Sequence, residues 1–134
     1  MKRNSIRCPY CGARAHLRPA WVVHGVRTRD PTEKLYVCAR YPFCNSYVSA
    51  HRDTLLPMGT LAGPELRRKR IEAHNALDRL MVSSVMTRKE AYRWLQRQMN
   101  LSEEEAHIAQ FTEPQCQMVI DLCDAFSRAY DQAA

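Results

Sequence analysis

Four of the six cysteines in this 134-residue chain come as two close pairs, and that spacing limits what the chain can fold into. Cys8 and Cys11 lie in Cys8-Pro9-Tyr10-Cys11-Gly12, and Cys38 and Cys44 in Cys38-Ala39-Arg40-Tyr41-Pro42-Phe43-Cys44, with 26 residues between the pairs. Thiols of a cytoplasmic chain stay reduced, so their spacing has to be explained by something other than disulfides. A short knuckle presents two thiolates to one side of a tetrahedral ion, and an intervening hairpin brings a second pair to the other side. The layout is that of a zinc ribbon holding one Zn2+ on Cys8, Cys11, Cys38 and Cys44, with reduced core thiols as the alternative. Gly12 falls where the backbone must turn toward the sulfurs, a place for a residue without Cβ. Cys116 and Cys123 are different. They are seven apart and interleave with Val119, Ile120, Phe126 and Tyr130 at helical steps, which makes them core thiols. Residues two turns apart on a helix are separated by about 10 Å, beyond disulfide reach.

The rest of the composition suits a folded protein: 46% hydrophobic, 25% charged, four Gly and seven Pro. A chain of this size buries roughly two thirds of its unfolded surface, so it needs no disulfide framework. The apolar run from Leu80 to Met86 is broken by Ser83 and Ser84 and is far short of the ~20 residues of a membrane span. The basic start, Met1-Lys2-Arg3-Asn4-Ser5, has no apolar segment after it, so it does not read as a secretory signal and the expected location is cytoplasmic.

Charge is unevenly spread. Residues 1–52 carry net +8, residues 53–98 net +4 and residues 99–134 net −6, giving +6 in all. A basic front and an acidic tail suit a polyanion at one end and repel it at the other. Four thiolates on one Zn2+ contribute −2, and Arg7, Arg14 and Arg40 flank the knuckles, so part of the basic excess is structural.

Local patterns divide the chain at 1–52 (ribbon), 53–63 (connector) and 64–134 (helical unit). Ala20-Trp21-Val22-Val23-His24, Lys34-Leu35-Tyr36-Val37-Cys38 and Ser46-Tyr47-Val48-Ser49-Ala50 read as strands of a small antiparallel sheet, with a turn at Asp30-Pro31. Helices are expected near 64–82, 88–99, 103–110 and 113–131. Pro64 supplies a first-turn residue, and Thr87 with Glu90, Ser102 with Glu105 and Thr112 with Gln115 fit capping boxes. Leu66, Ala73, Leu77 and Leu80 form the apolar stripe of the first helix. Leu55, Leu56, Met58 and Leu61 make the connector too apolar for a solvated linker, so it is expected to pack between ribbon and helices, with His51 and His74 at that junction. The expected fold is α+β, an N-terminal four-cysteine zinc ribbon packed on a C-terminal bundle of about four helices.

Tyr36-Val37-Cys38-Ala39-Arg40-Tyr41-Pro42-Phe43-Cys44 resembles the second knuckle of the four-cysteine ribbons at the C-termini of bacterial type I topoisomerases. More extensively, Cys8-Pro9-Tyr10-Cys11-Gly12, Tyr47-Val48-Ser49-Ala50-His51, Pro57-Met58-Gly59-Thr60-Leu61-Ala62, Leu66-Arg67 with Ala73-His74, Ala91-Tyr92-Arg93-Trp94-Leu95 and His107-Ile108 resemble a family of small zinc-finger-containing proteins of phages, prophages and conjugative elements. That resemblance implies a fold and a mobile-element setting rather than an activity. Ala106 stands where members often carry Cys, so any role of that thiol does not transfer.

Topoisomerase-like ribbons bind single strands through a sheet face on which aromatics stack against bases and cations meet phosphates. Trp21 and Tyr36 are the expected stacking residues, interleaved with Arg18, Arg27, Arg29, Lys34, Arg40 and Arg52; Tyr41, Phe43 and Tyr47 add aromatic surface. Trp21 and Tyr47 have an inward-facing alternative. Arg67-Arg68-Lys69-Arg70 spans a full helical turn, so at least one member must point to the core, while Arg67, Arg68, Arg93 and Arg97 can extend a phosphate track. His51, His74 and His107 suit structural hydrogen bonds, and no His-x-Glu, His-Glu-x-x-His, Gly-x-Ser-x-Gly or phosphate-loop motif points to catalysis. The expected partner is single-stranded DNA or RNA. The alternative is a host or phage protein, bound by an adaptor or inhibitor of a host machine or defence system; no membrane is involved.

Overall fold

A computed structural model describes residues 6–83 and 85–133. The basic start at residues 1–5 and the break in the apolar run at Ser84 lie outside the described residues. The fold is α+β, with one three-stranded sheet and four α-helices, and it divides into two compact units, Met1–Glu65 and Leu66–Ala134. No described helix is long and apolar enough to cross a membrane.

In the N-terminal unit, β1 (Ala15–Pro19), β2 (Lys34–Cys38) and β3 (Tyr47–Ser49) form an antiparallel sheet in the order β1-β2-β3. Register pairs Leu17 with Tyr36, and Tyr36 with Val48 on the other side. The first strand is not the expected 20–24. β1 ends at Pro19, a residue suited to an edge because it has no N–H for a ladder. The Ala20 N–H then bonds the Glu33 carbonyl, and the N–H groups of Val23 and His24 both return to the Ala20 carbonyl. That turn makes α1 (Trp21–His24), a four-residue helix closed by Gly25 at φ 55°. The β-branched pair Val22-Val23 is overridden because the chain must cross from β1 to β2, and Val23 packs beside Ala20, Leu35 and Val37.

β2 is covered on both faces. Tyr36 and Cys38 belong to a cluster with Ile6, Val48, Ala50 and Leu61, whereas Leu35 and Val37 belong to the one beside α1. The apolar connector is tied to this sheet, since Pro57 bridges Ala50 and Ala62 bridges Tyr47. Leu61 is buried there, while Leu56 and Met58 remain exposed.

The C-terminal unit contains α2 (Pro64–Val82, whose first two residues end the preceding unit), α3 (Arg88–Met99), a 3-10 turn at Ile108–Gln110 and α4 (Glu113–Ala133). Thr87 and Glu90 exchange both bonds of a capping box, and Ser102 with Glu105 and Thr112 with Gln115 make the same reciprocal pair. The segment expected as a helix over 103–110 winds only as a turn followed by the 3-10 turn. His107 is extended, and burial of Ala106, Ile108 and Phe111 at steps of two and three does not fit a 3.6-residue period. Ala73, Leu77, Leu80, Ala91, Leu95, Ile108, Phe111, Cys116, Val119 and Cys123 make the core. Trp94 meets Phe126 edge-on at 5.4 Å. Tyr130, expected in the buried stripe, is exposed and stacks on Phe126.

Candidate metal centre

Each cysteine pair sits on its own turn. Residues 7–14 form a tight hairpin in which Arg7 bridges Arg14, the Cys8 N–H bonds the Ala13 carbonyl at 2.8 Å and the Gly12 N–H bonds the Cys8 carbonyl at 2.9 Å. Gly12 adopts φ +76°, and a Cβ there would meet nothing within 4 Å, so the backbone angle rather than crowding selects glycine. Cys38 ends β2, and the following loop is held by Tyr41 N–H to Cys38 carbonyl at 2.9 Å and Cys44 N–H to Arg40 carbonyl at 3.1 Å. A bond from the Ala39 N–H to the Arg14 carbonyl, 2.8 Å, ties the second turn to the first.

This arrangement brings all four sulfurs within 4.8 Å of one another. Cys8 Sγ is 3.6 Å from Cys44 Sγ and Cys11 Sγ is 3.5 Å from Cys38 Sγ. A tetrahedral ion held at ~2.3 Å from each sulfur has sulfur–sulfur edges of about 3.8 Å, so the cluster matches such an ion and is too open for disulfides. Cys8 and Cys38 are buried, while Cys11 and Cys44 are half-buried.

The local electrostatics also favour a cation. Burial pushes the Cys8 thiol up, but the Ser46 hydroxyl and the N–H groups of Tyr10 and Cys11 outweigh it and bring the thiol from 9.0 down to about 7. Burial and the crowding thiols of Cys8, Cys38 and Cys11 push Cys44 up to about 12. Burial also raises Cys38, against the Arg40 N–H, which lies 3.5 Å from its sulfur. The Cys8 thiolate therefore forms readily, while burial and the neighbouring thiols disfavour ionisation of Cys44, a cost that a bound cation would offset. Ser46 Oγ is buried with no partner of hydrogen-bond geometry among the described residues. Beside Cys8, it gains a strong acceptor once that sulfur is ionised. The donor set thus fits a single thiolate-bound metal ion.

The match to the zinc-finger-containing domain family spans residues 4–125. The chain belongs to that family. No curated protein and no solved structure matches it. Among the described residues, the four cysteines of this zinc-finger-containing protein are the one group of three or more His, Cys, Asp and Glu side chains placed to share an ion. His51, His74 and His107 belong to no such group, and each is exposed. Cys116 and Cys123 are core residues, as their helical spacing predicts.

The other expected site residues divide by exposure. Arg18, Arg27, Arg29 and Arg40 are exposed on the ribbon, Lys34 is half-buried, and Arg68, Arg93 and Arg97 are exposed on the helical unit with Arg67 half-buried. Trp21 is 59% exposed, so its inward-facing alternative does not hold; Tyr47 is half-buried and meets His24 edge-on at 5.8 Å. Tyr36 is a correction. It is 1% exposed and its hydroxyl donates to the Leu55 carbonyl, so it offers no face to a base. Strand alternation gives Tyr36 a sheet face but does not reveal that Leu61 and Ile6 cover it. Phe43, beside Cys44, is 97% exposed, and Tyr10, on the first knuckle, is 55% exposed. Tyr10 was not among the expected aromatics, and its position between two ligands was the available signal.

Proposed function

We propose that the chain is a non-catalytic, nucleic-acid-binding accessory protein of a phage or mobile element, with one Zn2+ on Cys8, Cys11, Cys38 and Cys44. The observation that carries this reading is the exposure of Trp21 and Phe43 on a unit whose arginines Arg18, Arg27, Arg29 and Arg40 are also exposed. Exposed aromatic rings offer stacking faces to bases, and the arginines supply contacts to phosphate. Asp30, an acid of the same segment, is engaged by Arg52 and Thr32. Arg40 and Phe43 lie on the turn between Cys38 and Cys44, Arg18 on β1 and Trp21 in α1. Arg67, Arg68, Arg93 and Arg97 belong to the other unit and are not required by this reading.

Fluorescence anisotropy of the zinc-loaded chain with mixed-sequence single-stranded oligonucleotides tests it. Trp21→Ala and Phe43→Ala should each weaken binding by about 5- to 100-fold, as expected for a lost stacking contact. Arg27→Ala with Arg29→Ala should chiefly flatten the salt dependence. No binding by the wild type at low salt overturns the reading. The second reading, a protein-binding adaptor or inhibitor of a host machine or defence system, is favoured by Val26, fully exposed between these groups and unable to stack. Capture of a stoichiometric protein partner that survives nuclease treatment distinguishes it.

A further inference from the structure

We propose that the helical unit carries a separate binding site for a nucleoside phosphate, in the cleft between α3 and the segment that contains Glu103 and His107. The cleft has a volume of about 510 Å³, within the range of small-molecule sites and larger than inorganic phosphate requires. Arg88, Lys89 and Arg93 line it along α3, and Glu103 and His107 line it on the other side.

The charge is unbalanced in a way that suits a phosphate monoester. The Arg, Lys and Glu side chains of the lining, three cations against one carboxylate, leave +2, which matches a phosphate dianion. Arg88, Lys89 and Arg93 make no ion pair among the described residues. The nearby Glu90 carboxylate is already committed, accepting the Thr87 N–H at 2.9 Å to cap α3. Guanidinium groups bind phosphate through paired donors, and an imidazole adds another polar contact.

The remaining wall suits a base. Tyr92 lines the cleft with the Arg88 guanidinium 5.2 Å from its ring centre, a contact that holds cation and ring together. Gln96 adds an amide able both to donate to and accept from a base edge. Ala106 contributes a small buried side chain, and a larger one at that position would fill space. The expected occupant therefore carries a phosphate at one end and a flat heterocycle at the other. Two sources share that chemistry, a free mononucleotide and the phosphorylated end of a strand.

The test is isothermal titration of the zinc-loaded full chain with adenosine monophosphate, adenosine and inorganic phosphate. Adenosine monophosphate should bind one per chain, with adenosine and phosphate each weaker by about tenfold or more. Lys89→Ala and Arg93→Ala, both at exposed positions, should each weaken it by about fivefold or more. Oligonucleotide binding lost in Trp21→Ala and adenosine monophosphate binding lost in Lys89→Ala are read separately, so failure of the ribbon reading and failure of this one are distinguishable. A 5′-phosphorylated oligonucleotide that binds better than its 5′-hydroxyl counterpart, and is displaced by adenosine monophosphate, identifies a strand end as the source. Equal binding of the two oligonucleotides, with adenosine monophosphate still bound, identifies the free nucleotide. Absence of binding at about 1 mM adenosine monophosphate, equal affinity for adenosine, or indifference to both substitutions overturns the proposal.

Discussion

Arg70 Nε donates to the Phe111 carbonyl oxygen at 3.1 Å, joining α2 to the chain just before α4. Of the four basic residues in Arg67-Arg68-Lys69-Arg70, it is the one that turns inward and is buried. A full turn of cations on a helix with one apolar face forces one of them inward, and the carbonyl at the end of the 3-10 turn receives it. Arg70→Met keeps much of the aliphatic length and removes the donor. It should lower the stability of the helical unit by about 1–3 kcal/mol, read from urea denaturation followed by helical circular dichroism. An unchanged midpoint would contradict the structural role.

Tyr36→Phe separates the buried tyrosine from the exposed aromatics. Loss of the hydroxyl bond to the Leu55 carbonyl should cost about 1 kcal/mol. Zinc content and oligonucleotide affinity should stay at wild-type values, whereas Trp21→Ala should keep zinc and lose affinity. Thermal melting and anisotropy on the same preparation check both parts.

Cys116 and Cys123 should resist thiol reagents in the folded protein at pH 8, because both are buried and burial raises both thiols. Ellman's reagent should modify them only after denaturation. Fast modification of either in the native chain would contradict their place in the core.

The same burial gives a pH dependence. Cys123 is pushed from 9.0 up to about 11, so above pH 9 the unfolded chain releases a proton that the folded chain retains. Its contribution is full below pH 9 and should fall away between pH 9 and about 11, by about 2–3 kcal/mol at most. Denaturation midpoints of the wild type should decline more steeply over this interval than those of Cys123→Ala. Parallel declines would remove the cysteine as the cause.

Ser46→Ala should weaken zinc binding by about tenfold, because the hydroxyl that supports the Cys8 thiolate is lost while all four ligands remain. Competition with a chromogenic chelator measures the change.

Legibility in the sequence followed the range of the signal. The two cysteine pairs and the Thr87–Glu90, Ser102–Glu105 and Thr112–Gln115 boxes are local, since ligand geometry and helix ends each demand particular residues a few positions apart. β2 and α2 are similarly clear, β2 as an unbroken run of strand-forming apolar residues and α2 from the helical spacing of Leu66, Ala73, Leu77 and Leu80. Features set by distant contacts were not legible. Val22 and Val23 favour a strand by themselves, yet the bond between Ala20 and Glu33 turns them into α1. Tyr36 looks available until the connector crosses its face through the 50–57 and 47–62 bridges. At 103–110 the cap forms, but the buried residues recur too closely for a helix to continue. The exposure of Phe43 and Tyr10 also follows from how the two turns close around the sulfurs, which spacing alone does not specify.

Native mass spectrometry with elemental analysis tests the metal centre most directly. The wild type should carry one zinc per chain. Cys8→Ser and Cys38→Ser should lose it, because a tetrahedral thiolate site with a ligand replaced by hydroxyl forfeits most of its affinity. Cys116→Ala and Cys123→Ala should retain it in full. A wild-type chain without zinc, or a Cys38→Ser chain that keeps the full complement, would contradict the four-cysteine centre on which the account rests.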